Sequence, residues 1–181
     1  QGRQAVVALS AESHEEYEEY ELIEALAGQV RDGGREIGLP YVAVSADIGD
    51  PEPMRDRHGR PFAETLFQWL DPGLQYWKDR GFALRSTFVL ACRYTAEPFY
   101  FQDGRFGAWR PSRRLAAIDV VQSAETVEIG TAIIAPAHLP GGVIGAIVWA
   151  SPEVFDVRPV FDERAAELSV LSLRFMAAYN D

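Results

Sequence analysis

The stretch Gly130–Ser151, GTAIIAPAHLPGGVIGAIVWAS, decides how the rest of the chain is arranged. Two apolar runs rich in β-branched residues, Thr131–Ala135 and Val143–Ala150, flank Pro136–Gly142, whose prolines and glycines interrupt any helix. The pattern predicts two neighbouring antiparallel strands joined by a longer hairpin loop. Because both runs are apolar at nearly every position, both faces of the pair should be covered, one of them by core helices. We expect a ligand at the other face, although buried hairpins that only hold a fold together have the same pattern.

The composition is that of a globular protein and excludes several classes of function. The 181 residues are 48% hydrophobic and 12% aromatic, which suits a single domain, 1–181, with a substantial core. A net charge of −10 is the wrong sign for a surface that neutralises phosphates, so we expect no direct binding of nucleic acid. No apolar run approaches the roughly 18 residues of a membrane span, and the N-terminus lacks the pattern of a signal peptide. These features predict a cytoplasmic protein without membrane contact.

Helical and strand periodicity divide the chain into alternating elements around the hairpin. The predicted helices run from Ser13, as N-cap, to about Arg31, closed by Gly33-Gly34, from Asp71-Pro72 to Gly81, over Leu84–Tyr94, from Ser112 to Ser123 and from Phe161 to Tyr179. The predicted strands are Tyr41–Ala46, Phe62–Leu70, for which a short helix is the alternative, and Pro98–Phe101; Asp47–Arg60 and Asp103–Gly107 are predicted to be a polar loop and a turn. This order predicts an α+β domain with an antiparallel sheet between helices.

Residues with distinctive chemistry are few and scattered. Cys92 is the single cysteine, which excludes an intrachain disulfide and a cysteine-clustered metal site. His14, His58 and His138 fall in different predicted elements, which argues against a three-histidine metal site. The sequence also lacks the glycine-rich, nucleophile-elbow and zinc-protease fingerprints of common enzymes. We predict no catalytic residue, no metal and no cofactor.

Aromatic residues are unusually dense between Trp69 and Phe101. Nine of these 33 positions are Phe, Tyr or Trp. Such a set forms either a large core or the wall of an apolar pocket with a few polar groups. Arg85 lies inside this region, and its charge must be paired or must reach solvent or a ligand.

The order of these elements resembles the N-terminal autoinducer-binding domain of LuxR-type transcription regulators. The resemblance covers about Tyr41–Tyr179 and is carried by Pro98–Phe101, similar to a PFxW strand, and by the P-x-H-x-P-x-G pattern of Pro136–Gly142 followed by GAI. It implies an α-β-α sandwich with a five-stranded antiparallel sheet, like that of GAF and PAS domains. It also implies a homodimer that binds acyl-homoserine lactones between the sheet and one helical layer. The helix at 1–34 would precede a core at 41–179, and DNA would be contacted only through a C-terminal domain that these residues do not include.

The resemblance also assigns ligand-binding roles residue by residue, and this sequence departs from the family's pattern. The family's aspartate for the ligand amide falls at Ser86, and its tryptophan for the lactone carbonyl falls at Gly73. The family's other pocket residues fall on Trp69 and Trp77, which replace tyrosines, on Phe101, which replaces a tryptophan, and near Val148, which replaces a serine or threonine.

These departures predict a change of ligand class. A lactone head group would lose two or more buried hydrogen bonds, at roughly 1–3 kcal/mol for each group left unsatisfied, so we expect micromolar or weaker binding. A bulky apolar or aromatic molecule would lose little. We expect such a ligand to be anchored by Ser86, Arg85 or a tyrosine hydroxyl.

The sequence therefore predicts a small-molecule sensor domain of a LuxR-type regulator with no catalysis. One alternative is a GAF-like or PAS-like sensor that uses another cofactor. The other is a small enzyme that acts on an apolar substrate, for which His138 or Asp119 would have to face the pocket. The identity of the ligand, the sign of regulation, the target DNA and the dimer surface do not follow from the sequence.

Overall fold

The elements of the fold alternate between helices and short strands. The computed structural model describes residues 2–50, 52–70, 86–118 and 129–181, with side chains from residue 13 onward. In chain order the elements are α1 (Gly2–Glu36), β1 (Tyr41–Ser45), a 3-10 turn (Phe62–Glu64), α2 (Thr87–Cys92), β2 (Phe99–Gln102), β3 (Arg105–Gly107), α3 (Arg113–Ala116), β4 (Thr131–His138), a second 3-10 turn (Pro140–Gly142), β5 (Ile144–Ser151) and α4 (Arg158–Asn180). Among the described residues, no helix is both long and apolar enough to cross a membrane.

The five strands form one antiparallel sheet in the order β1-β5-β4-β2-β3. The predicted hairpin is confirmed as the two central eight-residue strands, β4 and β5. The loop is shorter than predicted because Pro136 and His138 belong to β4. Proline is tolerated at this point since β2 pairs only as far as Ile134, which leaves that side of β4 unpaired. The α+β class with a five-stranded antiparallel sheet is confirmed.

Helix α1 is longer than predicted at both ends. Ser13 lies inside it rather than at its N-cap, and the helix continues through Gly33-Gly34 to Glu36. Gly34 is needed for close packing, because a Cβ there would stand 2.6 Å from the side chain of Trp149 on β5. Gly38, with φ of 77°, lies just beyond the end of the helix in a left-handed conformation that favours glycine.

The prediction of a strand over Phe62–Leu70 was wrong, and its helical alternative holds only for the three-residue 3-10 turn. Phe62 and Phe67 of this segment are buried, and their rings contact each other at 5.5 Å and both contact Phe175 of α4. A single backbone hydrogen bond, from Val42 N–H to the carbonyl of Gln68, joins this segment to β1.

Several other boundaries differ from the predictions. The described part of the Leu84–Tyr94 helix is the shorter α2, and Ser112 caps α3 as predicted, but α3 ends at Ala116 rather than near Ser123. The predicted turn at Asp103–Gly107 contains the strand β3, which the sequence analysis missed. Helix α4 begins three residues early, with Pro159 in its first turn, and Leu173 is exposed rather than inward. The helix predicted from Asp71-Pro72 to Gly81 lies outside the described residues.

The sheet separates two apolar clusters. On the first side, the helix face, Ile133, Ile147 and Trp149 pack against α1 and α4. On the second side, the aromatic face, Phe99 and Phe101 of β2 pack with residues of α2 and α3. Both faces of the central hairpin are therefore covered, as its sequence predicts.

Candidate functional site

Four phenylalanines form a cluster on the β2–β3 side of the aromatic face. Phe101 and Phe106 are cross-strand partners on β2 and β3, with ring centroids 5.7 Å apart. Phe88 of α2 contacts Phe101 at 5.4 Å and Phe106 at 5.7 Å, and Phe99 contacts Phe106 at 5.4 Å. The interplanar angles of 67–84° are those of edge-to-face pairs, the arrangement that aromatic quadrupoles favour. The short helix α2 is thus held on the sheet by aromatic contacts.

The strands present only apolar side chains to this cluster over most of their length. One row across the sheet consists of Ala43, Val148, Ile134 and Phe99, and the next of Tyr41, Ala150, Ala132, Phe101 and Phe106. On the three strands β2, β4 and β5, every member of these two rows is an aliphatic or phenylalanine residue. Alanines at the centre and phenylalanines at one side make a surface suited to a flat apolar body.

Four of the seven residues predicted to bind the ligand lie at this face. Phe101 is buried in the cluster, and Trp69 and Val148 are partly buried and pack against it. Ser86, which is 6% exposed, lies two residues before Phe88 at the start of α2. Gly73, Trp77 and Arg85 lie outside the described residues. The described part of the predicted site is therefore contiguous in space.

Ser86 has a structural task in addition to any ligand contact. Its Oγ accepts a hydrogen bond from the backbone N–H of Val89 at 3.3 Å, which caps α2. Serine is among the preferred N-cap residues because its oxygen satisfies an otherwise unpaired helix N–H. The hydroxyl is thus fixed at the rim of the aromatic face.

Two polar residues on β1 were not singled out from the sequence. Tyr41 and Ser45 alternate with Val42 and Val44, which pack on the helix face, so they share the aromatic face with Ala43. Both are partly exposed, and neither hydroxyl donates or accepts a hydrogen bond within the described part of the chain. The alternation in YVAVS contains this information, but using it requires knowing which face Val42 occupies.

His138 stands at the end of this face and links two elements. Its Nε2 lies 3.0 Å from the carbonyl oxygens of Cys92 and of Thr95, so this nitrogen acts as the donor. The contact ties the C-terminal end of α2 to the hairpin. Cys92 is itself fully buried, as its apolar context predicts. Asp119, the other residue considered for catalysis, lies outside the described residues.

The charges with shifted pKa values lie elsewhere in the described structure. Burial by itself raises the pKa of Asp56, but the backbone N–H groups of Arg60 and His58 donate to its carboxylate and hold its pKa below the usual range. The side-chain hydrogen bond from Arg158 lowers the pKa of Asp156. Within the described ranges, no three His, Cys, Asp or Glu side chains are grouped as metal ligands. The described side chains that form the cluster on the aromatic face are instead apolar.

Comparison with known proteins agrees with this description. The family model for the autoinducer-binding domain matches residues 21–179, which include α1 from its second half and every strand of the sheet. Neither the curated proteins nor the solved structures gave a match. The family is one of signal-sensing regulatory domains rather than of catalysts. With the match extending over most of its length, the chain belongs to the autoinducer-binding domain family.

Proposed function

We propose that this domain is the signal sensor of a LuxR-type transcription regulator and that its ligand is an apolar or aromatic molecule rather than a standard acyl-homoserine lactone. The ligand would lie against the aromatic face, between the sheet and the shorter helices. In this proposal residues 1–181 form one cytoplasmic ligand-binding domain. The domain pairs with a second copy, and DNA is contacted by a separate C-terminal domain of the regulator.

One observation carries the choice of ligand. In the two rows of the aromatic face, the positions on β2, β4 and β5 are all apolar, including Phe101 and Val148. A polar head group placed against them would lose its water without gaining partners, at about 1–3 kcal/mol for each unsatisfied group. An apolar ligand gains instead roughly 25 cal/mol for each Å² of its surface that leaves water. The balance favours a ligand with few polar atoms.

Orientation of the ligand would come from polar groups at the margin of the face. Ser86 lies at one side, at the start of α2, and Tyr41 and Ser45 lie on the edge strand β1. These hydroxyls support one or two hydrogen bonds, fewer than a lactone and its amide together require. Gly73, Trp77 and Arg85 belong to the same proposal, as an opening, a flat aromatic wall and a charged anchor.

Regulation would follow because the ligand changes the relative populations of two conformational states of the domain. A ligand favours one state of the domain only by the difference between its affinities for the two states. Contact with α2 gives this difference a physical origin, because α2 packs on the sheet through Phe88 and is joined to the hairpin by the His138 link. Ordering of this layer would then bias the placement of the DNA-binding domains in a dimer.

The proposal is tested first by identifying what the purified protein carries. Native mass spectrometry followed by solvent extraction should yield a stoichiometric apolar compound. Absorbance of the same sample checks for haem, flavin or bilin, whose presence would replace the proposal by the cofactor-sensor alternative. A lactone bound with nanomolar affinity would refute the predicted ligand class.

A matched pair of variants then locates the site. We would titrate the neutral fluorescent probe N-phenyl-1-naphthylamine against Val148→Asp, on the aromatic face, and against Val170→Asp, on the exposed side of α4 where the valine is 58% exposed. Val148→Asp should weaken probe binding at least about tenfold, because the carboxylate would be desolvated by the ligand. Val170→Asp should bind as the parent protein does. Equal affinities of the two variants would place the probe elsewhere.

A further inference from the structure

A cleft of about 450 Å³ lies at the β3 edge of the sheet, between that strand and α3. Its walls include the rings of Tyr100, Phe106 and Trp109 and the side chains of Arg110 and Arg113. The volume falls in the range of about 300–1,000 Å³ that is typical of small-molecule sites. Neither the sequence predictions nor the family assignment gives this cleft a role.

The aromatic wall of the cleft packs against the protein core on one side and is open to solvent on the other. Tyr100 and Trp109 both contact Phe161 of α4, with ring centroids 5.0 and 5.7 Å away. Phe161 is 1% exposed, whereas Trp109 is 45% exposed and offers its outer surface to solvent. Gly107 keeps the arrangement open, because a side chain there would overlap the ring of Tyr100. A flat molecule can therefore stack on a tryptophan whose position is already set.

The charge of the cleft is opposite to that of the whole protein. The chain carries a net charge of −10, yet the cleft's lining residues that the structure describes include two arginines and no acid. Arg110 is paired with Glu97 at 2.8 Å, and Arg113 forms no ion pair within the described part of the chain. Arg105 and Arg114, on the adjoining β3 and α3, are also exposed. The local potential favours an anion.

We propose that this cleft is a second ligand site, one that binds a flat aromatic molecule carrying an anionic group. The aromatic ring stacks on Trp109, and the anionic group is bound by Arg113, whose planar guanidinium donates two parallel hydrogen bonds to a carboxylate or phosphate. Phe106 connects the site to the sensor surface, since it lines the cleft and contacts Phe88, Phe99 and Phe101 on the aromatic face.

The test is a calorimetric titration with three probes that share one ring system. These are 2-naphthoate, 2-naphthyl phosphate and the neutral 2-naphthamide. At least one anion should bind saturably at one site, and the amide should bind at least about tenfold more weakly because it lacks the charge-assisted hydrogen bonds. The preferred anion identifies the head group as carboxylate or phosphate.

Variants distinguish this cleft from other arginines and from the aromatic face. Arg113→Gln and Trp109→Ala should each weaken anion binding about tenfold, by loss of the paired hydrogen bonds and of the stacking surface. Arg174→Gln, at an exposed position of α4, is the matched control and should bind as the parent protein does. Binding of N-phenyl-1-naphthylamine, the neutral probe of the aromatic face, should be the same in Arg113→Gln as in the parent protein, so failure of this proposal is separable from failure of the proposed sensor function.

Three results would overturn the proposal: no saturable binding of either anion, equal binding of the anions and the amide, or parental affinity in Arg113→Gln. A fold defect in Trp109→Ala is detected by circular dichroism and does not affect the conclusion from Arg113→Gln, whose side chain is on the surface.

Discussion

The helix face and the aromatic face of the sheet are both apolar, but they are covered in different ways. The helix face is covered by α1 with 35 residues and α4 with 23, whereas the described helices on the aromatic face, α2 and α3, have six and four. Helices of that length are not stable by themselves and depend on packing. In the described part of the chain, the sheet thus has one face covered by long helices and one face covered by short helices that depend on packing.

Buried side-chain hydrogen bonds are a second feature of the helix face. Trp149 on β5 donates from Nε1 to the carbonyl of Val30 in α1 at 2.9 Å, and both groups are buried. Ser172 of α4 donates to the carbonyl of Ala135 on β4 at 2.8 Å. On the aromatic face, the described contacts are edge-to-face ring pairs together with the hydrogen bonds of His138 to the carbonyls of Cys92 and Thr95. The two buried side-chain hydrogen bonds of Trp149 and Ser172 thus fix α1 and α4 to the sheet.

The largest effect should follow from breaking the helix face at its centre. Trp149→Ala removes a fully buried ring and leaves the Val30 carbonyl without its indole donor, so we expect a loss of about 3–5 kcal/mol in the free energy of unfolding. Urea denaturation monitored by circular dichroism measures this loss. Trp109→Ala, at a half-exposed position, is the control and should lose less than about 1 kcal/mol. Similar losses of unfolding free energy in Trp149→Ala and Trp109→Ala would contradict this prediction.

A second experiment compares the two faces with the same substitution. Ile133 and Ile134 are adjacent on β4 and equally buried, but Ile133 faces the helices and Ile134 the aromatic cluster. We expect Ile133→Ala to lower the unfolding free energy by about 4 kcal/mol and Ile134→Ala by about 2 kcal/mol, because the aromatic face collapses more easily around a cavity. Denaturation of both variants without ligand tests this. Losses that are equal within error would show that the faces are equally rigid.

The third prediction concerns affinity and follows from the proposed function. Ser86→Asp keeps an N-cap residue, so stability should change by less than about 0.5 kcal/mol. It also restores the carboxylate that the family resemblance places at this position. The affinity for an acyl-homoserine lactone should rise about tenfold, as expected for one charge-assisted hydrogen bond. Calorimetry with N-octanoyl-homoserine lactone provides the measurement, and Ser86→Asn is the uncharged control. No gain in affinity would argue against the alignment of Ser86 with the family's aspartate.

The smallest effect should be the pH dependence contributed by Asp56, in the loop beside α1. Its pKa is lower in the folded protein than the ordinary value of 3.8, so its contribution to stability is present above that pH. The contribution is lost as the pH falls below about 4, through the folded pKa. Thermal unfolding of Asp56→Asn should show a weaker decline over this range than the parent protein. An identical acid profile would assign the decline to other carboxylates.

The elements that were predicted correctly are those indicated by residues close together in the sequence. Both faces of β4 and β5 are buried, and the continuous apolar runs indicated this directly. The prediction that Gly33-Gly34 ends α1 was wrong. Glycine commonly ends a helix, but Gly34 is required here because Trp149, over 100 residues later in the sequence, packs closely against it. The strand β3 has only three residues, but Asp103-Gly104 before it, with φ values of 48° and 78°, is the dipeptide of a tight hairpin and was a usable signal.

The apolar nature of the aromatic face was indicated by the sequence, but not all of the residues at that face were. Dense aromatic residues indicated an apolar surface, and Phe101 and Val148 were assigned to it through the family resemblance. Tyr41 and Ser45 were missed because their direction depends on the phase of β1 relative to β5, which is a tertiary fact. The cleft beside Trp109 depends on the position of α3 next to β3, and no sequence pattern indicated it.

The strand order has a consequence for how the chain is made. Strand β1 is translated before the other four strands, yet its partner is the last of them, β5, with Tyr41 opposite Ala150. At typical synthesis rates, β1 waits on the order of 10 s before its partner emerges from the ribosome. The hairpin of β4 and β5 closes locally, within about 1–10 μs of its release. The sheet is therefore completed only after β5 is released, and until then β1 remains an unpaired edge that another chain or a chaperone can bind.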